Sequence, residues 1–118
     1  MRYLCLIYED EKAWMNATQA EMEKGLAEYN AFTESIKKNG NYIGGEALQP
    51  TSTATSVRVR NGKVSTTDGP FVETKEQLGG YYLINAKDLD EAVKVASRIP
   101  SARNGTIEVR PIQEFSQP

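Results

Sequence analysis

Residues 2–8 have the sequence RYLCLIY, and this stretch decides the fold because it is hydrophobic almost throughout. Successive side chains of a β-strand point to opposite sides, so apolar groups here would face both sides of a sheet. Leu78–Ile84 has the same two-sided character. We therefore predict two strands whose sheet has to be covered on both faces, since soluble monomers rarely expose an apolar patch of that size.

Two helices are predicted from their capping signals. Thr18 and Glu21 have the spacing of a capping box, and Asn39-Gly40 ends the helix that follows them. Asp88 caps a second helix, which Pro100 ends. The apolar positions expected to be buried are Met22, Leu26, Tyr29, Thr33 and Ile36 in the first helix and Leu89, Ala92, Val93 and Ala96 in the second. Before the first helix we expect a polar loop that carries Trp14.

The remaining strands include a hairpin. Thr55–Arg60 alternates apolar and polar residues and meets Asn61-Gly62, the strongest short hairpin signal, before a return strand at Lys63–Thr67. This hairpin is expected to be one-sided and partly exposed. Tyr42–Leu48, which contains a glycine pair, and Thr106–Arg110 are the other two predicted strands.

The order β-α-β-β-β-β-α-β predicts the α+β class, with a ferredoxin-like βαββαβ sheet and an inserted hairpin. Residues 1–115 are expected to form a single domain, and Ser116–Pro118 a loose tail. Both helices would cover one face of an antiparallel sheet. A second copy of the chain is the simplest cover for the other apolar face, so we expect an obligate homodimer with its sheets packed face to face.

Composition excludes several classes of function. Histidine is absent from the 118 residues, which excludes His-based general base catalysis, Ser-His-Asp triads and His-ligated metal sites. Cys5 is the only cysteine and is expected to be a buried, inert thiol. A net charge of −2 argues against a nucleic-acid partner. No run is long enough for a membrane span, and Tyr3–Tyr8 is too short for a signal-peptide core, so a cytoplasmic location is expected.

Asp68–Tyr81 contains more turn-forming, aromatic and charged residues than a simple connection between strands needs. Asp68-Gly69-Pro70 has the composition of a turn, and Phe71 is expected to anchor in the core. A charged arc that includes Lys75 then leads into the strand that begins at Leu78.

This segment resembles the signature of the YCII-related family, in its DGPF-domain branch, and the resemblance covers nearly the whole chain. The other similar stretches are Tyr3–Tyr8, Gly44–Pro50, Asp88–Ala92, Pro100–Arg103 and Ile107–Pro111. The resemblance implies a dimeric α+β barrel and a frequent genomic association with extracytoplasmic-function sigma factors, but no biochemical function. Some members carry a His-Asp pair in a cleft, which this chain cannot have. Relatives often have His where Asn104 stands, and Asn cannot titrate near neutral pH.

The candidate binding residues are Asp68, Glu46, Tyr8, Tyr82, Lys75 and Arg110. Asp68 can act as a general base or bind an amine, but a turn residue that stabilises its own backbone is the favoured interpretation. Glu46 can share acid–base work with Asp68 if the two meet, and is otherwise solvated or paired with an arginine. The tyrosines can line a pocket or pack in a dimer interface, together with Tyr81. Arg110 can bind an anion or pair with Glu108.

Two functions of different classes follow from these residues. The first is a binder or enzyme for a small polar molecule, with a pocket near the Asp68–Phe71 turn and no cofactor. The second is a non-catalytic interaction module that serves sigma-factor regulation. The small-molecule hypothesis is slightly favoured, by analogy with other dimeric α+β barrels.

Overall fold

The computed structural model describes residues 1–115, so the predicted tail at Ser116–Pro118 lies outside the described residues. The strands are β1 (Arg2–Glu9), β2 (Tyr42–Ala47), β3 (Thr55–Arg60), β4 (Lys63–Asp68), β5 (Gln77–Asn85) and β6 (Thr106–Pro111). The helices are α1 (Glu11–Met15), α2 (Gln19–Lys38) and α3 (Leu89–Ser97), with short 3-10 turns at Thr51–Thr53 and Pro100–Arg103. The predicted α+β class is confirmed.

Four strands form one antiparallel sheet in the order β2-β5-β1-β6. This is the strand order of the ferredoxin-like βαββαβ skeleton, and Cys5 in the central strand lies opposite both Tyr82 and Val109. Strands β3 and β4 form a separate two-stranded sheet between β2 and β5 in the chain. The hairpin is therefore an insertion, as predicted.

The helix starts are set by local hydrogen bonds. The Glu21 N–H donates to Thr18 Oγ1 at 3.1 Å, and the Thr18 N–H donates to Glu21 Oε1 at 2.9 Å, which completes the predicted capping box. The bond from the Thr18 backbone lowers the pKa of Glu21. Asp88 accepts from the Glu91 N–H at 2.9 Å in the same way. The region around Trp14 was predicted as a loop but is the short helix α1, capped by Asp10.

The core lies between the helices and one face of the sheet. Its buried hydrophobic residues are Tyr3, Cys5, Ile7, Phe32, Ile36, Tyr82, Ile84, Ala86, Ala92, Val95, Ala96 and Ile99. The predicted helix stripes were partly wrong, because Met22, Leu26, Leu89 and Val93 are all at least half exposed. Phe32 and Val95 occupy the buried positions instead. Spacings of three and four fit neighbouring stripes equally well, and only packing against the sheet selects one of them.

The sheet face turned away from α2 and α3 is also apolar. Leu4, Leu6 and Tyr8 of β1 lie there half-buried, and Leu4 and Leu6 are paired with Leu83 and Tyr81 of β5. Both central strands are thus two-sided, as predicted. Helices α2 and α3 contribute buried side chains to the core on the other face. Within residues 1–115, no helix contributes buried side chains to this face.

The hairpin β3–β4 projects from the body of the molecule. Its register places Val57, Val59 and Val64 on one face, each more than half exposed, and places the basic residues Arg58, Arg60 and Lys63 on the other. The radius of gyration is 16.5 Å, against about 13.5 Å for a compact chain of this length. The hairpin is one-sided, as predicted, but more exposed than expected.

Phe71 does not anchor in the core; it is 77% exposed. Asp68, Gly69 and Pro70 directly follow β4, and the hairpin contributes nothing to the core, so the turn at its base does not bring Phe71 to buried neighbours. Among residues 1–115, no helix has the length and apolar character needed to cross a membrane.

Candidate functional site

A cleft with a volume of about 770 Å³ opens between helices α1 and α2 and the sheet, next to the ends of β2 and β5. Its apolar lining includes Ile7, Trp14, Met15, Met22, Leu26, Leu48, Pro50 and Leu78, and its aromatic lining includes Tyr29, Tyr42 and Tyr82. The exposure of Met22 and Leu26 follows from this position. The face of α2 that carries Met22, Leu26, Tyr29 and Thr33 lines the cleft, whereas Phe32 and Ile36 of the same helix are buried in the core.

The polar groups of the cleft are joined by hydrogen bonds. The Tyr29 hydroxyl bonds to Ser101 Oγ, and Ser101 Oγ donates to Glu9 Oε1 at 3.2 Å. Thr33 Oγ1 lies 2.7 Å from the Tyr82 hydroxyl. Burial raises the pKa values of Tyr29 and Tyr82, so both phenols stay protonated at neutral pH and remain able to donate.

Helix α1 closes one side of the cleft. The Trp14 ring lies against α2 at Gly25, where a Cβ atom would be only 2.7 Å from Trp14 Cη2. Trp14 Nε1 donates to the Glu9 carboxylate. Glu11 accepts from Thr51 Oγ1 at 2.6 Å and from the Thr51 N–H at 3.1 Å, which ties α1 to the segment after β2. The short helix is thus attached on both sides of the cleft.

Two glycines let β2 and β5 approach closely at the cleft wall. A Cβ atom on Gly45 would lie 2.8 Å from the Tyr81 carbonyl oxygen, and one on Gly80 would lie 2.8 Å from the Glu46 carbonyl oxygen. Their neighbours Gly44 and Gly79 have nothing within 4 Å of the same position. Each glycine pair therefore contains one residue that close packing requires and one that it does not.

The charged groups of the cleft have one sign. Glu9, Glu11, Glu23 and Glu46 belong to its lining, and within residues 1–115 no lysine or arginine does. Both oxygens of Glu11 are already bonded to Thr51. The Tyr29 and Tyr82 hydroxyl protons are already donated to Ser101 and Thr33, since those two hydroxyls donate elsewhere. The cleft can therefore surround an apolar body and accept hydrogen bonds at carboxylates.

The six candidate residues are divided between the cleft and other surfaces. Tyr82 and Glu46 line the cleft, whereas Asp68, Lys75 and Arg110 do not. Tyr8 lies on the opposite face of the sheet from Tyr82, because Tyr82 pairs with Cys5 and strand side chains alternate.

The interpretations of Asp68 and Arg110 are also modified by the structure. Asp68 is exposed at the end of β4, and within the described chain its carboxylate accepts none of the hydrogen bonds expected from the following amides. It lies in a different sheet from Glu46. The Arg110 guanidinium approaches Glu108 at 3.8 Å along the same strand. This pair lies on the sheet face that carries Leu4 and Leu6.

Sequence reasoning missed Glu9 and Trp14 as lining residues of the cleft, and Ser101 as the buried residue that joins Tyr29 to Glu9. One signal was available, since Gly25 lies in the middle of a helix, where glycine is unfavourable unless packing needs it. Tyr29 and Thr33 were predicted as core residues, because helical periodicity does not distinguish a core from a cleft wall.

Cys5 does not line the cleft. The Cys5 thiol is fully buried, and its burial raises its pKa to about 11, which agrees with an inert thiol. In the described part of the chain, no group of three or more His, Cys, Asp or Glu side chains is arranged to hold a metal ion.

The structure defines an α+β protein with helices on one face of an antiparallel sheet and a cleft beneath its longest helix. The sequence matches the YCII-related domain over residues 1–116, and the chain belongs to the YCII-related family. It is 36% identical over 114 residues to the uncharacterized protein R00369 of Rhizobium meliloti (strain 1021). The aligned region covers 95% of this chain and 92% of that protein. The family resemblance seen in the sequence is confirmed.

Proposed function

We propose that this chain binds a small molecule in the cleft between α2 and the sheet. The observation that supports this most directly is a concave, mainly apolar space of about 770 Å³ whose wall carries hydrogen-bonded tyrosines. Pockets for small ligands typically measure about 300–1,000 Å³ and combine apolar walls with a few placed polar groups. The pocket proposed is therefore the cleft under α2, not a site at the Asp68–Phe71 turn.

Binding is tested with N-phenyl-1-naphthylamine, an uncharged apolar dye whose fluorescence rises when it leaves water. We expect the wild-type chain to bind the dye, with energy transfer from Trp14, the only tryptophan and a lining residue. Leu26→Arg places a long charged side chain at the cleft and should weaken dye binding at least about tenfold.

Leu89→Arg is the matched control, because Leu89 is also a half-exposed helical leucine but does not line the cleft. Both variants should melt close to the wild type, since both positions are already exposed. Dye binding that survives Leu26→Arg unchanged, or an absence of dye binding by the wild type, would overturn the proposal.

We also propose that the chain is a homodimer, paired through the sheet face that carries Leu4, Leu6 and Tyr8. Support comes from the half-buried leucines and tyrosines of β1 and β5 on the side away from α2 and α3. A second copy would remove this apolar surface from water through a two-fold interface.

A second candidate function is an interaction module for an extracytoplasmic-function sigma factor, as the proposed DGPF-branch membership implies. The observation that favours it is the projecting hairpin with exposed Val57, Val59 and Val64, followed by exposed Phe71. Co-purification with such a sigma factor, lost on Val59→Ser, would support this function. Purification of the chain from its host without a sigma factor would count against it.

A further inference from the structure

We infer that the ligand of the cleft is an organic cation: an apolar or aromatic body that ends in a protonated amine. This inference rests on the proposed function of the cleft and adds the chemical class of the ligand. Three features carry it, namely the single sign of the lining charges, an available carboxylate beside aromatic rings, and the apolar space behind them.

The negative charges of the lining disfavour an anionic ligand. Four carboxylates lie around the cleft, and the described residues 1–115 place no lysine or arginine among them. An anion would be desolvated beside like charges without a counter-ion, which is unfavourable. An ammonium group would instead gain Coulomb attraction that grows as water is excluded.

Glu9 is the carboxylate best placed to receive the ammonium group. It is half-buried at the end of β1, where its Oε1 accepts from Trp14 Nε1 and from Ser101 Oγ. Within the described chain, the bonds to Glu9 all use Oε1, and Oε2 keeps its capacity to accept. Glu11 differs, since Thr51 uses both of its oxygens. The remaining carboxylates of the lining, Glu23 and Glu46, are exposed.

The aromatic lining supplies the second contact that an ammonium group prefers. Trp14 and Tyr29 are both connected to Glu9 through their polar N–H and O–H groups, the first directly and the second through Ser101, so both rings lie close to this carboxylate. Ring faces attract cations, and the face of tryptophan attracts them most strongly. Tyr42, another lining residue, already has the Lys37 ammonium 5.1 Å from its ring centroid, although Lys37 itself does not line the cleft.

Three probes with one apolar body separate charge from shape: 4-phenylbutylamine, 4-phenylbutan-1-ol and 4-phenylbutanoate. Their affinities for the full chain are measured by isothermal titration at neutral pH and low salt, with Trp14 fluorescence as a second readout. We expect the amine to bind about tenfold more tightly than the alcohol, and the carboxylate to bind weakest. Added salt should reduce the difference in affinity between the amine and the alcohol.

Glu9→Gln tests the assigned residue, because the amide oxygen can still accept from Trp14 Nε1 while the charge is lost. It should lower the affinity for the amine at least about fivefold and leave the affinity for the alcohol unchanged. Glu34→Gln is the matched control, since Glu34 lies on α2 outside the lining. If Glu9→Gln does not fold, the double variant Glu23→Gln/Glu46→Gln removes two exposed charges and should also weaken the amine selectively.

The outcomes separate this inference from the proposed function. Equal affinity for all three probes, or preference for the carboxylate, would overturn the cation inference and leave small-molecule binding in place. Binding of the uncharged naphthylamine dye without binding of the amine would have the same meaning. Failure of the dye and of all three probes would overturn both.

Discussion

At the scale of single residues, close backbone contacts at the cleft wall explain one glycine of each glycine pair. Gly45 and Gly80 face carbonyl oxygens of the neighbouring strand, while Gly44 and Gly79 face open space. The pairs looked alike in the sequence, because composition does not reveal which side of a strand meets another backbone. The same limitation applies to Phe71, which has the composition of a core anchor but is exposed.

Gly45→Ala should destabilise the chain by roughly 2–3 kcal/mol, because the new Cβ would overlap the Tyr81 carbonyl oxygen and the Tyr82 ring. Gly44→Ala is the matched control and should be neutral or slightly stabilising, since alanine restricts the unfolded chain. Urea denaturation of both variants gives the two free energies of unfolding. Equal effects of the two substitutions would contradict the close-approach explanation.

At the scale of elements, the hairpin β3–β4 behaves as an addition to the fold. Within residues 1–115, the buried hydrophobic residues come from β1, β5, α2, α3 and the connections next to α3. The residues on either side of the hairpin are adjacent, because the Gly69 N–H donates to the Ala54 carbonyl at 2.7 Å. An isolated two-stranded hairpin is only marginally stable in water, so the hairpin depends on its attachment to the rest of the chain.

Replacement of residues 55–68 by Gly-Gly should leave the rest of the chain folded, with a melting temperature within about 5 °C of the wild type. The reason is that the excision joins two points that are already adjacent and removes no core residue. Circular dichroism during heating measures the effect. Phe32→Ala is the positive control and should cost about 3–5 kcal/mol. Loss of cooperative unfolding on excision would show that the hairpin is part of the folding unit.

At the scale of the whole molecule, the main feature of the fold is a sheet with apolar side chains on both faces. One face forms the core with α2 and α3, and the other carries half-buried Leu4, Leu6, Tyr8, Tyr81 and Leu83. The cleft lies mainly on the helix side and the proposed dimer interface on the other face of the sheet, although Tyr81 of that face also belongs to the cleft lining. Substitutions at Leu6 and at Leu26, which each belong to one of the two sites, are therefore expected to change dimer formation and ligand binding separately.

Leu6→Lys should convert the proposed dimer to a monomer, because it places a charge between Tyr81 and Glu108 on the apolar face. Val93→Lys, on the exposed side of α3, is the matched control and should leave the mass unchanged. Light scattering coupled to gel filtration at micromolar concentration measures both. A wild-type chain of monomeric mass, or a Leu6→Lys variant that stays dimeric, would contradict the proposed interface.

The sequence alone determined the family, the α+β class, the order of the main strands and helices, both N-terminal caps and the hairpin turn. These features depend on interactions within a few residues, such as the Thr18–Glu21 box, or on strand patterns that repeat every second residue. The position of Trp14 in a helix was missed, because a five-residue helix has too few residues to show a period.

The tertiary structure alone decided which helix face is buried, where the cleft lies and which candidate residues share it. Tyr82 and Glu46 line the cleft, while Asp68, Lys75, Tyr8 and Arg110 lie elsewhere. Glu9 and Ser101 are 92 residues apart in the chain, yet they bond to each other beside Tyr29. Such contacts depend on how the sheet and helices pack, and local propensity carries no information about them.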